Sequence, residues 1–287
     1  MSQRLAVAAA AASGVLVGSA MVATRYVVDQ TGPGSLALMR YAIGFLCLAP
    51  AMLASGQAMR FTRRDVLPIA ILGITQFGIL IALLNYGLRF IPSARGALIF
   101  AAMPLITMVM GAALGRERLT APKTIGVLLT ILGVGLSLGE KALQPTAGHW
   151  WGELAVLGSA ICGALCSVLY RPYLQRYPTL AVSSFAMLAS VGFLALVAAG
   201  EGFFAAWPVI TPPGWGAVLF IGLNSGVGYF LWLYALRHAS PTRVTVFLSL
   251  SPVTASLLGA FLLSEAVTAA SLGGLACVVA GIWIAHR

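Results

Sequence analysis

The chain has 287 residues, of which 60% are hydrophobic and 8% charged, and its mean hydropathy is +0.97. A water-soluble domain carries about a quarter charged residues, so this composition cannot cover a solvated surface and argues against a soluble enzyme. The net charge of +10 does not point to nucleic acid, because the 17 basic residues sit at the ends of apolar segments rather than along one continuous stripe.

Crossing the hydrocarbon core of a bilayer takes about 20 apolar residues. Ten segments come near that length, at 5–26, 34–54, 66–89, 93–114, 121–139, 150–171, 179–199, 214–237, 242–263 and 268–286. Turn chemistry separates many of them, as in Thr31-Gly32-Pro33-Gly34, Ile91-Pro92-Ser93, Tyr177-Pro178 and Thr211-Pro212-Pro213. The opening residues mimic a secretory signal, but the apolar run continues to Tyr26 and has a counterpart later in the chain, so it reads as the first span. With the N-terminus in the cytoplasm, twelve basic residues fall inside and five (Arg25, Arg40, Arg89, Arg95, Lys141) outside or in the outer half of a helix. That asymmetry predicts both termini inside, in a multi-pass membrane protein. Trp150, Trp151, Trp207 and Trp215 then gather at the outer interface. Cys47, Cys162, Cys166 and Cys277 lie in apolar runs with no CxxC and read as packing residues. No metal or cofactor is expected.

A shift of 148 residues lays the third-to-fifth spans on the eighth-to-tenth without a gap. Tyr86 meets Tyr234, Arg89 meets Arg237, Arg95 meets Arg243, Pro104 meets Pro252, Glu117 meets Glu265, Gly126 meets Gly274 and Gly133 meets Gly281. Fifteen such identities fall within Gly78–Val134. Apolar composition alone generates chance Leu, Ala and Gly matches, whereas Arg, Pro, Tyr and Glu at one constant offset mark an internal repeat. The predicted fold class is therefore all-α and membrane-integral. Its ten transmembrane helices form two inverted five-helix repeats, at 1–142 and 148–287, enclosing a central cavity. A unit of five spans enters its second copy from the opposite side of the membrane, the arrangement of secondary transporters that bind at mid-depth between repeats.

These doubled residues resemble the drug/metabolite transporter superfamily, in particular its ten-helix EamA-type exporters. Pro104, the stretch LGRERLT at 114–120, Gly126 and Gly133 match the family pattern once. Pro252, LLSEAVT at 262–268, Gly274 and Gly281 match it again. Pro33 and Arg40 also resemble the family's entry into the second helix, whereas Phe185 stands where the second copy would carry an arginine. Within the superfamily the overall texture is most similar to bacterial aromatic-amino-acid exporters of the YddG type. The resemblance implies that helices 1–4 and 6–9 surround the cavity, with helices 5 and 10 peripheral. It also implies export of small amphipathic metabolites, foremost aromatic and other neutral amino acids, by alternating access. A drug, lipid or other metabolite carrier of the same superfamily, with proton coupling as an option, is the alternative.

Half-way along their spans lie Ser13 and Ser159, Gln76 and Asn224, and Pro104 and Pro252, each pair at equivalent positions of the two copies. Side-chain amides are costly in hydrocarbon and must face the bundle interior, either to recognise an amino or carboxyl group or to join helices. The prolines remove the hydrogen bonds to the Phe100 and Leu248 carbonyls and mark kinks or hinges. Ser225, Tyr229 and Trp232 share one face of the eighth span, and Phe100, Met103 and Thr107 one face of the fourth; with Tyr86 they complete the candidate substrate contacts. An apolar stripe of this kind also serves plain packing. Glu117 and Glu265 are expected at helix ends, accepting from free N–H groups of the next helix just past Thr120 and Thr268. Arg25, Arg89, Arg171 and Arg237 read as helix-end caps. No carboxylate lies at mid-membrane, which argues against a proton relay, and only Arg40 approaches the interior, which argues against phosphorylated substrates. His149, His238 and His286 sit at span ends and no HExxH occurs, which argues against an intramembrane enzyme. The GxxxG spacings at Gly14/Gly18, Gly111/Gly115, Gly135/Gly139 and Gly222/Gly226 point to packing within one chain, which favours a monomer without fixing the oligomeric state.

Overall fold

The computed structural model describes residues 2–56, 60–91, 96, 99–138, 150–206, 208–263 and 269–285, and among these every regular element is helical. Glu265, Arg95, Lys141, His149 and Trp207 lie outside the described residues. Helix α1 (Ser2–Val27) passes through a short 3₁₀ turn, Val28–Gln30, to α2 (Pro33–Ala54). The third span is one rod made of α3 (Arg63–Gly73), a π-helical turn (Ile74–Ile79) and α4 (Leu80–Phe90). Helices α5 (Met103–Ala113) and α6 (Ala121–Leu138) follow. Then come α7 (Trp150–Leu169), the short α8 (Arg171–Arg176), α9 (Thr179–Gly200) and α10 (Pro212–His238). The chain continues through α11 (Pro241–Thr245), a 3₁₀ turn (Val246–Ser249), α12 (Leu250–Leu263) and α13 (Ala269–Ala285).

Prolines set several of these starts. Pro33, Pro212 and Pro241 occupy the first turn of α2, α10 and α11, where a missing N–H leaves nothing unpaired. At α10 the Thr211 hydroxyl also accepts from the Gly214 N–H at 3.2 Å. Among the described residues, six helical runs are long and apolar enough to cross a membrane: Arg4–Gln30, Pro33–Ala54, Arg63–Phe90, Trp150–Arg176, Thr179–Gly200 and Pro212–His238. Met103–Ala113, Ala121–Leu136 and Gly273–Ala285 are shorter apolar helices. Leu46, Leu132, Leu196 and Leu219 are exposed on outer faces, as lipid contact requires.

Pro104 and Pro252 depart from the expectation of helix-interior kinks. Each stands in the first turn of a new helix, α5 and α12, directly after a non-α break at Ala101–Ala102 and Val246–Ser249. The segments predicted as the fourth and ninth spans are therefore broken at equivalent places, at Ala101–Ala102 and at Val246–Ser249. A proline that begins a helix forfeits no hydrogen bond, which is why the chain breaks before it rather than bending at it.

Helix pairing is systematic. Helix α1 packs on α10 and α12, as α7 packs on α4 and α5; α2 packs on α10, as α9 packs on α3; α2 meets α9, and α6 meets α13. Glycines permit the closest approaches. A Cβ on Gly14 would overlap the Phe247 carbonyl, and one on Gly18 the Ser251 carbonyl, so α1 lies directly on the broken ninth span. Gly44 and Gly226 bring α2 and α10 together, while Gly126 faces Gly281 and Gly133 faces Gly274 across α6 and α13. Gly14/Gly18 and Gly222/Gly226 thus pack within the chain. Gly115 does not: it ends α5 at a φ of +64°, with open space where a Cβ would stand.

That left-handed glycine explains the stretch that follows α5. It turns the chain back beneath the helix, so the Glu117 side chain lies against Gly111 and is only 3% exposed. One carboxylate oxygen pairs with Lys123 Nζ at 3.1 Å and the other accepts from the Thr242 N–H of α11 at 3.0 Å. Glu117 does cap the start of a helix, but that helix is α11, in the other half of the chain, and not α6 past Thr120. At the opposite end of the bundle Glu201, just beyond α9, accepts from the N–H groups of Gly34 and Ser35, both at 2.8 Å, and from the Ser35 hydroxyl at 2.7 Å. Those bonds fix the N-terminus of α2. Glu201→Ala is expected to lower stability by about 1 kcal/mol, read as a drop in apparent Tm in detergent, because water replaces the lost acceptor at this exposed site. An unchanged Tm would show that the α2 terminus is held by packing alone.

Candidate functional site

One cavity lies among α1, α2, the π turn, α4, the break before α5, α10 and the ninth-span 3₁₀ turn. Its volume is about 100 Å³, room for several water molecules. Eight of the eleven expected contacts line it: Ser13, Gln76, Phe100, Met103, Asn224, Ser225, Tyr229 and Trp232. Leu248 lines it as well, opposite its repeat counterpart Phe100, so both span breaks open onto the same space.

Three expected residues lie elsewhere. Ser159 is fully buried on the face of α7 that carries Val156, Ala160 and Gly163 and packs against α4 and α5; it is not in the cavity and does not face Ser13 there. Thr107 is buried and donates to the Met103 carbonyl one turn back, at 2.8 Å. Tyr86 points outward and packs on Phe90, with ring centroids 4.9 Å apart. No residue of α6, α7, α9 or α13 lines the cavity among the described residues. The described lining thus comes from the first to fourth, eighth and ninth predicted spans.

The two amides behave differently. Asn224 donates both amide protons to α1, one to the Leu16 carbonyl and one to Ser19 Oγ, each at 3.0 Å. Ser13 Oγ reaches back to the Gly228 carbonyl at 3.1 Å, so the amide nitrogen and the hydroxyl stitch α1 to α10. Gln76 sits on the π turn, where the wider winding turns it towards the cavity, and its Oε1 is buried without a partner. The Trp232 indole N–H is likewise buried and unpartnered, in a side chain only 4% exposed. Tyr41, Phe77 and Tyr229 stack as an aromatic group, with centroid spacings of 4.8 and 4.0 Å.

Sequence reasoning missed Tyr41 and Asn85, and it undervalued Arg40. The structure places Arg40 in the lining, with Nε donating to Ser225 Oγ at 2.5 Å and the guanidinium 5.4 Å from the Tyr41 ring centre. This corrects the expectation of a cavity without a basic group. The helix-end arginines reach carbonyls of other elements rather than of their own helices: Arg25 donates to Leu88 O and Arg89 to Thr31 O, both at 3.2 Å, and Arg237 to Tyr177 O at 3.3 Å, while Arg171 begins α8 instead of ending a helix. Among the described residues no group of His, Cys, Asp or Glu is placed to hold a metal ion.

A model of the EamA-like transporter family matches residues 4–139 and, a second time, residues 150–286. The chain belongs to the EamA-like transporter family. It is accordingly a transporter of the drug/metabolite superfamily and a multi-pass membrane protein, and its relatives are named as transporters rather than enzymes. It is 26% identical to an uncharacterised transporter of Archaeoglobus fulgidus, covering 94% of each chain. It is 29% identical to a probable terminal-alkyne amino-acid exporter of Streptantibioticus cattleyicolor, covering 94% of this EamA chain and 89% of the relative. A probable amino-acid metabolite efflux pump of Salmonella typhimurium is 26% identical over 81% of this chain and 82% of its own. A crystal structure superposes with a TM-score of 0.82 at 23% identity, covering 98% and 96% of the two chains, and supports the fold alone.

Proposed function

We propose that this EamA-family protein exports small amphipathic metabolites, foremost aromatic and other neutral amino acids, across a bacterial inner membrane by alternating access and without ion coupling. The observation that carries the reading is the composition of one cavity. Aromatic and aliphatic walls (Tyr41, Phe100, Tyr229, Trp232, Met103) surround a guanidinium, an unpaired amide oxygen and an unpaired indole N–H. Apolar walls with a few convergent polar groups suit a ligand that has both an apolar body and a polar head. Export of amino acids is supported by the names of two relatives. The absence of Asp, Glu and His from the described lining speaks for carriage down the substrate's own gradient.

The reading includes ten spans in two inverted five-helix units with both termini cytoplasmic. Two observations support the units: the family model matches each half of the chain, and the main helix pairs (first with eighth and third with sixth, second with eighth and third with seventh, first with ninth and fourth with sixth) recur when each span is exchanged with the one five later. The matched breaks before Pro104 and Pro252 add to this, since discontinuous helices at mid-depth are how such carriers expose backbone to a substrate.

Counterflow into proteoliposomes, with labelled phenylalanine, threonine, a nucleotide-sugar and a cationic dye in parallel, tests the proposal. Saturable exchange of the amino acids, unaffected by collapsing proton and sodium gradients, is expected. Exchange of only the dye or the sugar would keep the family and overturn the substrate. Loss of exchange on adding a protonophore would overturn the uncoupled mechanism.

A further inference from the structure

We infer that Arg40 is the anchor for a carboxylate on the transported molecule, so that the cavity accepts small molecules bearing one negative charge at the bound end and rejects derivatives in which that end is uncharged. This rests on the small-molecule carrier reading of the same cavity.

Arg40 is the one charged side chain in the described lining. Its Nε–H is committed to Ser225 Oγ, and that hydroxyl in turn donates to the Ile221 carbonyl at 2.7 Å. Ser225 therefore fixes the plane of the guanidinium from one edge, while the Tyr41 ring flanks it. The Nη1 and Nη2 groups are left with no protein acceptor among the described residues. Their N–H donors form the edge of the fork that matches the two oxygens of a carboxylate.

Among the described residues no acid answers that charge. Asp65 binds Tyr177 and Arg176, Glu117 binds Lys123 and Thr242, and Glu201 binds the start of α2. None of the described acids forms an ion pair with Arg40. A guanidinium inside a membrane bundle needs a counter-ion or water, and a cavity that closes on its cargo removes the water. The missing counter-charge then comes with the cargo.

Charge balance selects the class of anion. One fixed positive charge neutralises a monocarboxylate, whereas a phosphate monoester dianion would leave a net negative charge in a low-dielectric space. A zwitterion offers Arg40 the same single carboxylate, and the positive charge its ammonium adds is solvated by the orphaned Gln76 Oε1, a neutral acceptor in the same cavity. The two polar ends of an α-amino acid thus each find a group of the complementary kind, and its side chain meets Met103, Phe100 and Trp232.

The test uses full-length purified protein and ligand-induced thermal stabilisation, with matched pairs of acid and amide. The pairs are phenylalanine with phenylalaninamide, threonine with threoninamide, and 3-phenyllactate with its amide; phenyl phosphate is added alone. Wild type is expected to bind acids about 10- to 100-fold more tightly than their amides. Arg40→Gln is expected to abolish that preference by weakening the acids only. Arg40→Lys keeps the charge without the fork and should retain a weaker preference, which keeps the test informative if Arg40→Gln does not fold. Binding of 3-phenyllactate without either amino acid would keep the anchor and overturn amino-acid export. An acid preference that survives in Arg40→Gln, amides that bind wild type as well as acids do, or no response to any acid would overturn the anchor. Phenyl phosphate binding more tightly than every carboxylate would overturn the single-charge assignment.

Discussion

Glu117→Ala lowers the stability of the detergent-solubilised protein by about 3 kcal/mol, read as a fall of several degrees in apparent Tm. The side chain is 3% exposed and its two oxygens have separate duties, pairing with Lys123 and capping α11 at Thr242. Removing it leaves a lysine side chain that is 13% exposed without its counter-ion. It also leaves the Thr242 N–H without an acceptor, and stranded charges and donors dominate the cost of such deletions. Glu117→Gln keeps a carbonyl oxygen for Thr242 and is expected to lose about half as much. Adding Lys123→Met to Glu117→Ala removes the stranded charge and should recover part of the loss. If the three variants melt with wild type, the carboxylate is solvated and the link between α5 and α11 contributes nothing.

Gly18→Leu prevents assembly of α1 on α12. The first added carbon would overlap the Ser251 carbonyl oxygen and stand 2.8 Å from Thr254 Cβ, both too close for a real contact. Backbone cannot move aside as a flexible side chain does, so a whole helix must withdraw. The loss exceeds the roughly 1–3 kcal/mol typical of an overpacked core. Withdrawal would also strain the bond from Ser251 to Gly14 on the same seam and the neighbouring bond from Asn224 of α10 to Leu16. The expected result is aggregation or early elution on size exclusion, while leucine at Gly216, where a Cβ meets nothing, leaves the profile unchanged. A monodisperse Gly18→Leu protein with wild-type Tm would mean that α1 does not rest on the ninth span as described.

The sequence announced the helical membrane fold and the family because those depend on properties that accumulate along the chain. Span length follows from local apolar content, and the 148-residue offset from identities such as Arg89/Arg237 and Glu117/Glu265. What stayed hidden depends on contacts between distant residues or on local winding. Glu117 looked bound to the next helix, since nothing local reveals that Thr242 lies nearer. Gln76 and Asn224 are equivalent in the repeat, yet one occupies a π turn with an unpaired oxygen while the other spends both amide protons on α1. Arg40 is a few residues into α2, a depth shared by many interfacial arginines, and only the Ser225 contact turns it inward. Ser13 and Ser159 show the limit of symmetry: α7 presses its serine into a helix contact, whereas the serine of α1 keeps an edge on the cavity.

The carboxylate ties at the two ends of the bundle differ in how they respond to load. Glu117 is shut away from solvent, so parting α5 from α11 exposes a charge pair that no water already attends. Glu201 is exposed, and when its tie to Gly34 and Ser35 lets go, solvent molecules standing beside it take up the same oxygens. The bundle is therefore compliant at the Glu201 end and stiff at the other, with the glycine seam of α1 and α12 as the unyielding line between them. Thr24, Asn85 and Leu88 carry the cavity towards the compliant end, so the give of the fold falls on the side of the cavity that they line.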